Sequence, residues 1–288
     1  MVDNILNMIF LQKITRIFQT REKPFKFILA KLLWETNICC LFTIDRKGYK
    51  LRFYPTSLSA SLWVSKEDRI ADELFLSDYL KKESIFVDIG ANIGTHSLKA
   101  AFVVGPSGKV ISFEPHPKTF YYLNKNIRLN AFCNIETYNC ALGDKYGHLN
   151  FSNDIADDQN CIVSSDGINV EVKKLDDAVS TGKIDLIKID VEGYELFVLR
   201  GGIKLLKHTD CIMFESSETS FNKYGYAAKD ILKFFQENGF AVFRLVNKKI
   251  YKLVDEYDSA KTENMLAVKD IEGFLQRTGY EVAENMHG

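Results

Sequence analysis

An apolar run that ends on an acid and opens into a glycine-spaced turn, Phe86-Val87-Asp88-Ile89-Gly90-Ala91-Asn92-Ile93-Gly94-Thr95-His96, constrains this chain more than any other stretch. A continuous run of this kind is what a parallel strand buried on both faces requires. The helical pattern after it makes the unit a strand, turn and helix of an α/β sheet. Gly90 and Gly94 let the backbone pass close to a ligand without a Cβ in the way. Dinucleotide-binding turns use Gly-x-Gly-x-x-Gly, whose glycines make room for a pyrophosphate at the helix start. Here the spacing is Gly-x-x-x-Gly, and Asn92 stands where that pattern has its second glycine. A diphosphate fits this turn poorly, and a smaller, non-phosphate group fits it better.

A second apolar strand, Lys109-Val110-Ile111-Ser112-Phe113, ends in Glu114, 20 residues beyond Gly94. A carboxylate at that place accepts hydrogen bonds from both hydroxyls of a ribose, whether of NAD or of S-adenosylmethionine. It reports a ribose rather than a chemistry, and the glycine spacing decides between the two. Asp88, Gly90, Asn92, Gly94 and Glu114 together resemble the first two motifs of Rossmann-like S-adenosylmethionine-dependent methyltransferases. The bland alternative is an ordinary strand-turn-helix with a carboxylate at a strand end.

Further segments narrow the resemblance. Phe86 to Gly94, Phe113-Glu114-Pro115, Ala141-Leu142-Gly143-Asp144, Leu175-Asp176-Asp177, Ile184 to Glu195 and Val198-Leu199-Arg200-Gly201-Gly202 occur in the order of the FkbM family of methyltransferases. The chain is similar to that family over residues 40 to 270. The resemblance implies a class I methyltransferase fold with S-adenosylmethionine as donor, and O-methylation of a hydroxyl on a sugar, glycan, polyketide or related metabolite. It also implies that Asp144 lies in the loop beside the adenine, where a carboxylate can accept the exocyclic amine. An Asp-containing turn after the third strand is the plainer account of that residue.

Strand and helix alternate through the core, with strands near 85 to 90, 109 to 114, 134 to 139, 184 to 190, 210 to 215, 240 to 246 and 264 to 269. The expected architecture is therefore a seven-stranded, mostly parallel sheet flanked by helices. Ligands of such sheets bind at the carboxyl ends of the strands, where Asp88, Glu114 and Asp190 fall. The polar stretch Gly147 to Lys174 reads as a hairpin insertion over the site. Residues 66–288 form the expected methyltransferase domain and residues 1–65 an extension. In that extension Leu41 to Ile44 and Tyr49 to Tyr54 flank Asp45-Arg46-Lys47-Gly48 as a hairpin. Ahead of it, Ile5, Leu6, Ile9, Phe10, Ile14, Ile17 and Phe18 recur at helical spacing among Lys13, Arg16 and Arg21. This basic amphipathic helix is too interrupted to span a bilayer. Packing on the domain or on a second subunit is one use of it, and peripheral contact of residues 1–35 with an anionic membrane is the other.

Methyl transfer to a hydroxyl is an in-line displacement that needs alignment and removal of one proton. Asp190, ending the fourth strand, is the first candidate for the base, with Glu192, Glu195 and Glu215 beside it. Lys188, two residues earlier on the same strand face, is placed to hold Asp190 ionised or to bind the acceptor oxygen. The catalytic set is thus Asp190, Lys188 and Glu215. His96 and His116, directly after the two ligand motifs, are alternative candidates for the base, since histidine titrates near neutrality, but read first as helix-start residues. The acids around Asp190 are hard oxygen ligands that suit Mg²⁺, but their spacing alone leaves the metal unknown.

A net charge of −1 argues against a nucleic-acid partner, which needs clustered Lys and Arg in excess. Six cysteines without a Cys-x-x-Cys pair signal neither zinc nor a disulfide framework, and point to a cytoplasmic protein or one peripheral to the inner face of a membrane. Two other classes remain open at this level, a nicotinamide-dependent oxidoreductase and a non-catalytic ligand-binding module of the same fold. A homo-oligomer is compatible with the N-terminal helix.

Overall fold

Strand propensity and strand burial agree at the centre of the molecule. The computed structural model describes residue 18, residues 22–152, the backbone of 162–163, and residues 167–253 and 262–283. The basic helix expected before Pro24 lies outside the described residues, apart from Phe18. Helix α1 is Pro24–Glu35, followed by a short 3₁₀ turn and the hairpin β1 (Thr43–Arg46) and β2 (Tyr49–Arg52), which pairs Arg46 with Tyr49 across Lys47-Gly48. Two further helices, α2 (Ser57–Val64) and α3 (Ile70–Tyr79), lead into β3 (Ile85–Ile89), α4 (Thr95–Val104), β4 (Lys109–Phe113), α5 (Pro117–Asn130) and β5 (Ile135–Tyr138).

An inserted sheet follows, made of β6 (Ala141–Leu142), β7 (Gly147–Phe151), β8 (Ile162–Val163) and β9 (Ile168–Lys173) in the order β6-β9-β7-β8. The chain then returns to the core through α6 (Leu175–Ala178), β10 (Ile184–Ile189), α7 (Glu195–Arg200), α8 (Ile203–Leu206), β11 (Thr209–Ser216), α9 (Glu218–Asn222) and α10 (Ala228–Glu237). It closes with β12 (Ala241–Val246), β13 (Lys249–Lys252), β14 (Glu263–Val268), α11 (Ile271–Thr278) and β15 (Glu281–Ala283).

All seven expected strands form, and two more widen one edge, giving nine in the order β15-β13-β12-β14-β11-β10-β3-β4-β5. The five from β11 to β5 are mutually parallel, while β14 runs antiparallel between β11 and β12. The two extra strands escape a pattern reading because Lys249-Ile250-Tyr251-Lys252 and Glu281-Val282-Ala283 are short and half polar, as sheet edges are. Val87, Ile89, Ile111, Ile187, Ile189, Ile212 and Phe214 fill one side of the sheet, and Phe86, Val110, Leu186, Cys211 and Met213 the other. Burial on both faces is why these strands read as unbroken apolar runs.

Gly90 is fixed by a close backbone approach. It has φ +77°, and a Cβ there would stand 1.9 Å from the Asp190 carbonyl oxygen, so the turns after β3 and β10 touch. That contact brings the first motif beside Asp190.

The extension shares a core with the sheet domain, since Ala30, Tyr49, Leu51, Phe53 and Leu62 pack with Ile93, Leu98 and Leu123 from the segments after β3 and β4. A buried guanidinium locks it. Arg46 donates from Nε and Nη2 to Glu73 Oε1 (2.9 and 2.5 Å), from Nη1 to the Lys66 carbonyl (2.9 Å) and from Nη2 to the Asp68 carbonyl (2.8 Å), and Tyr49 donates to the same Glu73 oxygen (2.7 Å). The two charged side chains are 3% and 7% exposed. Breaking a buried pair leaves the partner charge unmet. Arg46→Ala is therefore expected to cost about 3–5 kcal/mol, which lowers the melting temperature by roughly 10 °C in calorimetry for a domain of this size. An unchanged melting temperature would show the network to be dispensable.

Candidate active site

The carboxyl ends of β3, β4, β10 and β11 surround an open cavity of 310 Å³, within the size range of small-molecule sites. One half is built by Gly90, Ala91 and Asn92 after β3, Glu114, Pro115 and His116 after β4, and Cys140, Ala141 and Leu142, with Phe151 from the inserted sheet over it. Glu114 is 6% exposed, and each of its oxygens accepts one backbone N–H, Oε2 from Asn92 and Oε1 from His116, both at 2.9 Å. These two donors fix the carboxylate plane at the cavity wall. Asn92 holds its own turn: it has φ +49°, and its Oδ1 accepts from the Ile93 N–H at 2.7 Å. Such left-handed positions tolerate Asn because the side chain bonds locally.

The other half is charged. Lys188, Asp190, Glu192, Glu215, Arg69 and His96 line it, with Tyr194, Ser220, Leu58 and Thr262. The register that sets Lys188 opposite Asp88 puts both on one face, and Lys188 Nζ sits 3.0 Å from Asp190 Oδ2 and 3.9 Å from Asp88 Oδ1. Burial opposes both charges of the pair, but the two acids hold the lysine above its ordinary range, and Lys188 and Arg69 hold the Asp190 carboxyl below its own. Glu215 behaves oppositely. Burial first, and then the charges of Asp190 and Glu192, push it up to about 9, so it carries a proton at neutral pH. One carboxylate oxygen from each of Asp190, Glu192 and Glu215 lies within 4.8 Å of the others, and this is the set that can hold a divalent cation.

Of the expected residues, Gly90, Asn92, Glu114, Lys188, Asp190 and Glu215 meet at the cavity, while three do not line it. Asp88 is wholly buried behind the wall, where Ser97 Oγ donates to its Oδ2 and Ser112 Oγ to Ser97. Gly94 is the N-cap of α4 at φ +96°, a turn requirement. Asp144 stands beside Tyr194, helping burial to raise that phenol, while its neighbours Ala141 and Leu142 make the wall. Sequence reasoning missed Leu58, Arg69 and Thr262, which reach the cavity from outside the motifs and carry no local signature.

Glu195 does not face the cavity; it closes the turn after β10. Its Oε1 accepts from the Val191 and Gly193 N–H groups (3.1 and 3.3 Å), and Tyr226, which donates to the Gly193 carbonyl, lies 3.3 Å from Oε2. Burial pushes its carboxyl up to about 7, against the pull of those N–H groups. The folded chain therefore keeps a proton that the unfolded chain releases near 4.5, so this group's contribution to stability falls as pH rises from there toward 7 and then levels. Glu195→Gln keeps the acceptor and removes the ionisation. The variant is expected to exceed wild type in stability at pH 8 by up to about 3 kcal/mol, with the gap closing near pH 4. Denaturant midpoints at the two pH values measure this, and a gap independent of pH would contradict it.

A parallel sheet with a ribose-type carboxylate at one strand end, and a paired acid and lysine across the cavity, defines a Rossmann-like methyltransferase of class I. The family model described as the methyltransferase FkbM domain matches residues 88–242, more than half of the chain, and the chain belongs to that family. It is an S-adenosylmethionine-dependent methyltransferase. Among its relatives, the hexuronic acid methyltransferase AglP of Haloferax volcanii is 27% identical over 197 residues, 66% of this chain and 77% of AglP. The 2-O-methyltransferase NoeI of Sinorhizobium fredii is 28% identical over 161 residues, 48% of this chain and 65% of NoeI. A solved FkbM methyltransferase from Methylobacillus flagellatus overlaps 65% of this chain at 18% identity and a TM-score of 0.43, and the match spans 43% of that protein's length.

Proposed function

We propose that this enzyme transfers the methyl group of S-adenosylmethionine to a hydroxyl of a sugar-type acceptor, of which a hexuronic acid unit is the first to try. The observation that carries the reading is the charged half-cavity at Lys188, Asp190 and Glu215, directly beside the half that holds Glu114. The names of the relatives AglP and NoeI support it, one acting on a hexuronic acid and the other as a 2-O-methyltransferase.

In this reading Glu114 takes the ribose hydroxyls, and the wall at Ala141 and Leu142 the adenine. The sulfonium methyl then points toward Asp190. That carboxylate, held ionised by Lys188, accepts a hydrogen bond from an acceptor hydroxyl and aligns its oxygen behind the methyl carbon. Protonated Glu215 donates to a neighbouring hydroxyl of the same ring. Methyl transfer from labelled donor to the methyl glycosides of glucuronic and galacturonic acid tests this. The expected product carries an alkali-stable methyl ether. An alkali-labile methyl ester, or no transfer to these or to neutral hexosides, would overturn the acceptor assignment.

A peripheral position at a membrane's inner, cytoplasmic face belongs to the same proposal. Phe25, Leu29 and Leu32 stand on one face of α1 at 76%, 48% and 55% exposure, and Ile38, Leu41 and Phe42 extend that apolar surface. Residues 1–35 carry six lysines and arginines against three acids, the sign that an anionic bilayer attracts. Among the described residues no helix is long and apolar enough to cross a membrane. The full chain is expected to sediment with phosphatidylglycerol vesicles and not with phosphatidylcholine ones, and a Phe25→Ser, Leu29→Ser, Leu32→Ser variant to stay in solution. Wild type remaining in solution with both would contradict it.

A further inference from the structure

A hydroxyl that attacks a methyl group must lose its proton, and the acids at the cavity are poorly suited to take it. Asp190 is committed to Lys188, whose Nζ stands 3.0 Å from its Oδ2. Glu215 is gathered with Asp190 and Glu192 in the acidic set, one oxygen of each within 4.8 Å of the others. Glu195 is turned into the loop after β10.

His96 is placed differently. It opens α4, is 6% exposed, and lines the same half of the cavity as Asp190. Its Nε2 lies 3.3 Å from Asp72 Oδ2. Asp72, in the first turn of α3, is fixed in turn by Asn264 of β14, whose Nδ2 donates to its Oδ1 at 3.0 Å, and by Arg69 at 3.9 Å. Three elements thus converge on the orientation of one imidazole. Burial opposes the charge on Asp72, yet His96, Arg69 and Asn264 together hold that carboxyl below its ordinary range. An Asp72 carboxylate takes a proton donor on Nε2, so that in the neutral imidazole the lone pair is on Nδ1.

We propose that His96 is the general base of the reaction, taking the acceptor's hydroxyl proton on Nδ1, with Asp72 as the positioning residue that fixes the imidazole. The assignment rests on the methyl-transfer reading above. As the acceptor oxygen bonds to the methyl carbon, the carbon–sulfur bond breaks and its electron pair stays on sulfur, giving S-adenosylhomocysteine. The hydroxyl proton passes to His96, and the resulting imidazolium is balanced by Asp72. This is the arrangement in which an acid orients and offsets a histidine base without itself taking the proton.

The experiment pairs two readouts on the full chain: methyl transfer to the uronic acid glycosides, and calorimetric binding of S-adenosylhomocysteine. His96→Asn is expected to lower kcat by about 10²–10⁴-fold, the usual share of a general base, with affinity for S-adenosylhomocysteine within about twofold of wild type. His96→Ala is expected to regain part of its rate with added imidazole. Asp72→Asn is expected to lower kcat about tenfold or more with the donor KM unchanged, a split that a merely structural role would not give. Full activity in His96→Asn would overturn the assignment. So would a tenfold loss of S-adenosylhomocysteine affinity in that variant, which would put the imidazole in the donor half. If wild type itself transfers nothing to the glycosides, the acceptor reading falls, and the binding comparison still decides on which side of the cavity His96 works.

Discussion

Replacing Lys188 by methionine is expected to lower the melting temperature by on the order of 10 °C and to remove most methyl transfer. The side chain is 3% exposed and stands between two carboxylates, Asp190 at 3.0 Å and Asp88 at 3.9 Å, of which Asp88 is wholly buried. Without the ammonium Asp88 loses the cation beside it and Asp190 keeps only the charge of Arg69, both in a poorly solvated place. Removing one partner of a buried pair costs about 3–5 kcal/mol. The loss should be partly reversible by a second change. Lys188→Met with Asp190→Asn is expected to be more stable than Lys188→Met alone, because one of the stranded charges is gone. Calorimetry on wild type, both single variants and the double variant measures the coupling. Additive losses would show that the 3.0 Å pair carries no interaction.

Glu114 carries the second large effect, and its conservative replacement is the informative one. Each carboxylate oxygen already accepts a backbone N–H, from Asn92 and from His116. Glutamine supplies a single acceptor oxygen, and its amide nitrogen would meet one of those N–H groups donor to donor. Glu114→Gln is therefore expected to lose donor affinity nearly as fully as Glu114→Ala. The loss should be about 100-fold or more, given roughly 1.5–3 kcal/mol for each hydrogen bond from a ribose hydroxyl to a charged group. The melting temperature of the free protein should move far less than in Lys188→Met. Near-wild-type binding by Glu114→Gln would mean that the ribose is held elsewhere.

Much of the frame was legible because the physics that builds it is local. Each central strand is an apolar run, and the turns after β3 and β4 are marked by Gly90 and Glu114, so the strands and their ligand-facing ends could be placed from sequence. The hairpin Thr43 to Arg52 followed from a Lys-Gly turn between half-apolar strands. What resisted depends on contacts between distant segments. Helix α2 forms over Ser57–Val64, where no helix was expected; Thr56 caps it by accepting from the Ser59 N–H. Arg69 reaches the cavity because Arg46 and Glu73 hold the loop before α3, a relation across 27 residues.

At the site, sequence spacing grouped Asp190, Glu192, Glu195 and Glu215, with Asp190 first among them. The structure turns Glu195 inward as a loop closure and leaves the other three together. His96 does start α4 as expected, and the structure adds that it walls the cavity and pairs with Asp72, 24 residues earlier on another helix. Asp88 belongs to the motif for a different reason from the one its position suggested. It is the buried counter-charge of Lys188, which explains an acid inside an otherwise apolar strand.

Calorimetric titration of the purified full chain with S-adenosylhomocysteine, and separately with NAD, tests the central claim most directly. The Gly-x-x-x-Gly turn, with Asn92 where a dinucleotide site has its second glycine, predicts saturable one-to-one binding of S-adenosylhomocysteine and no heat from NAD at the same concentrations. Saturable binding of NAD with S-adenosylhomocysteine silent would contradict it.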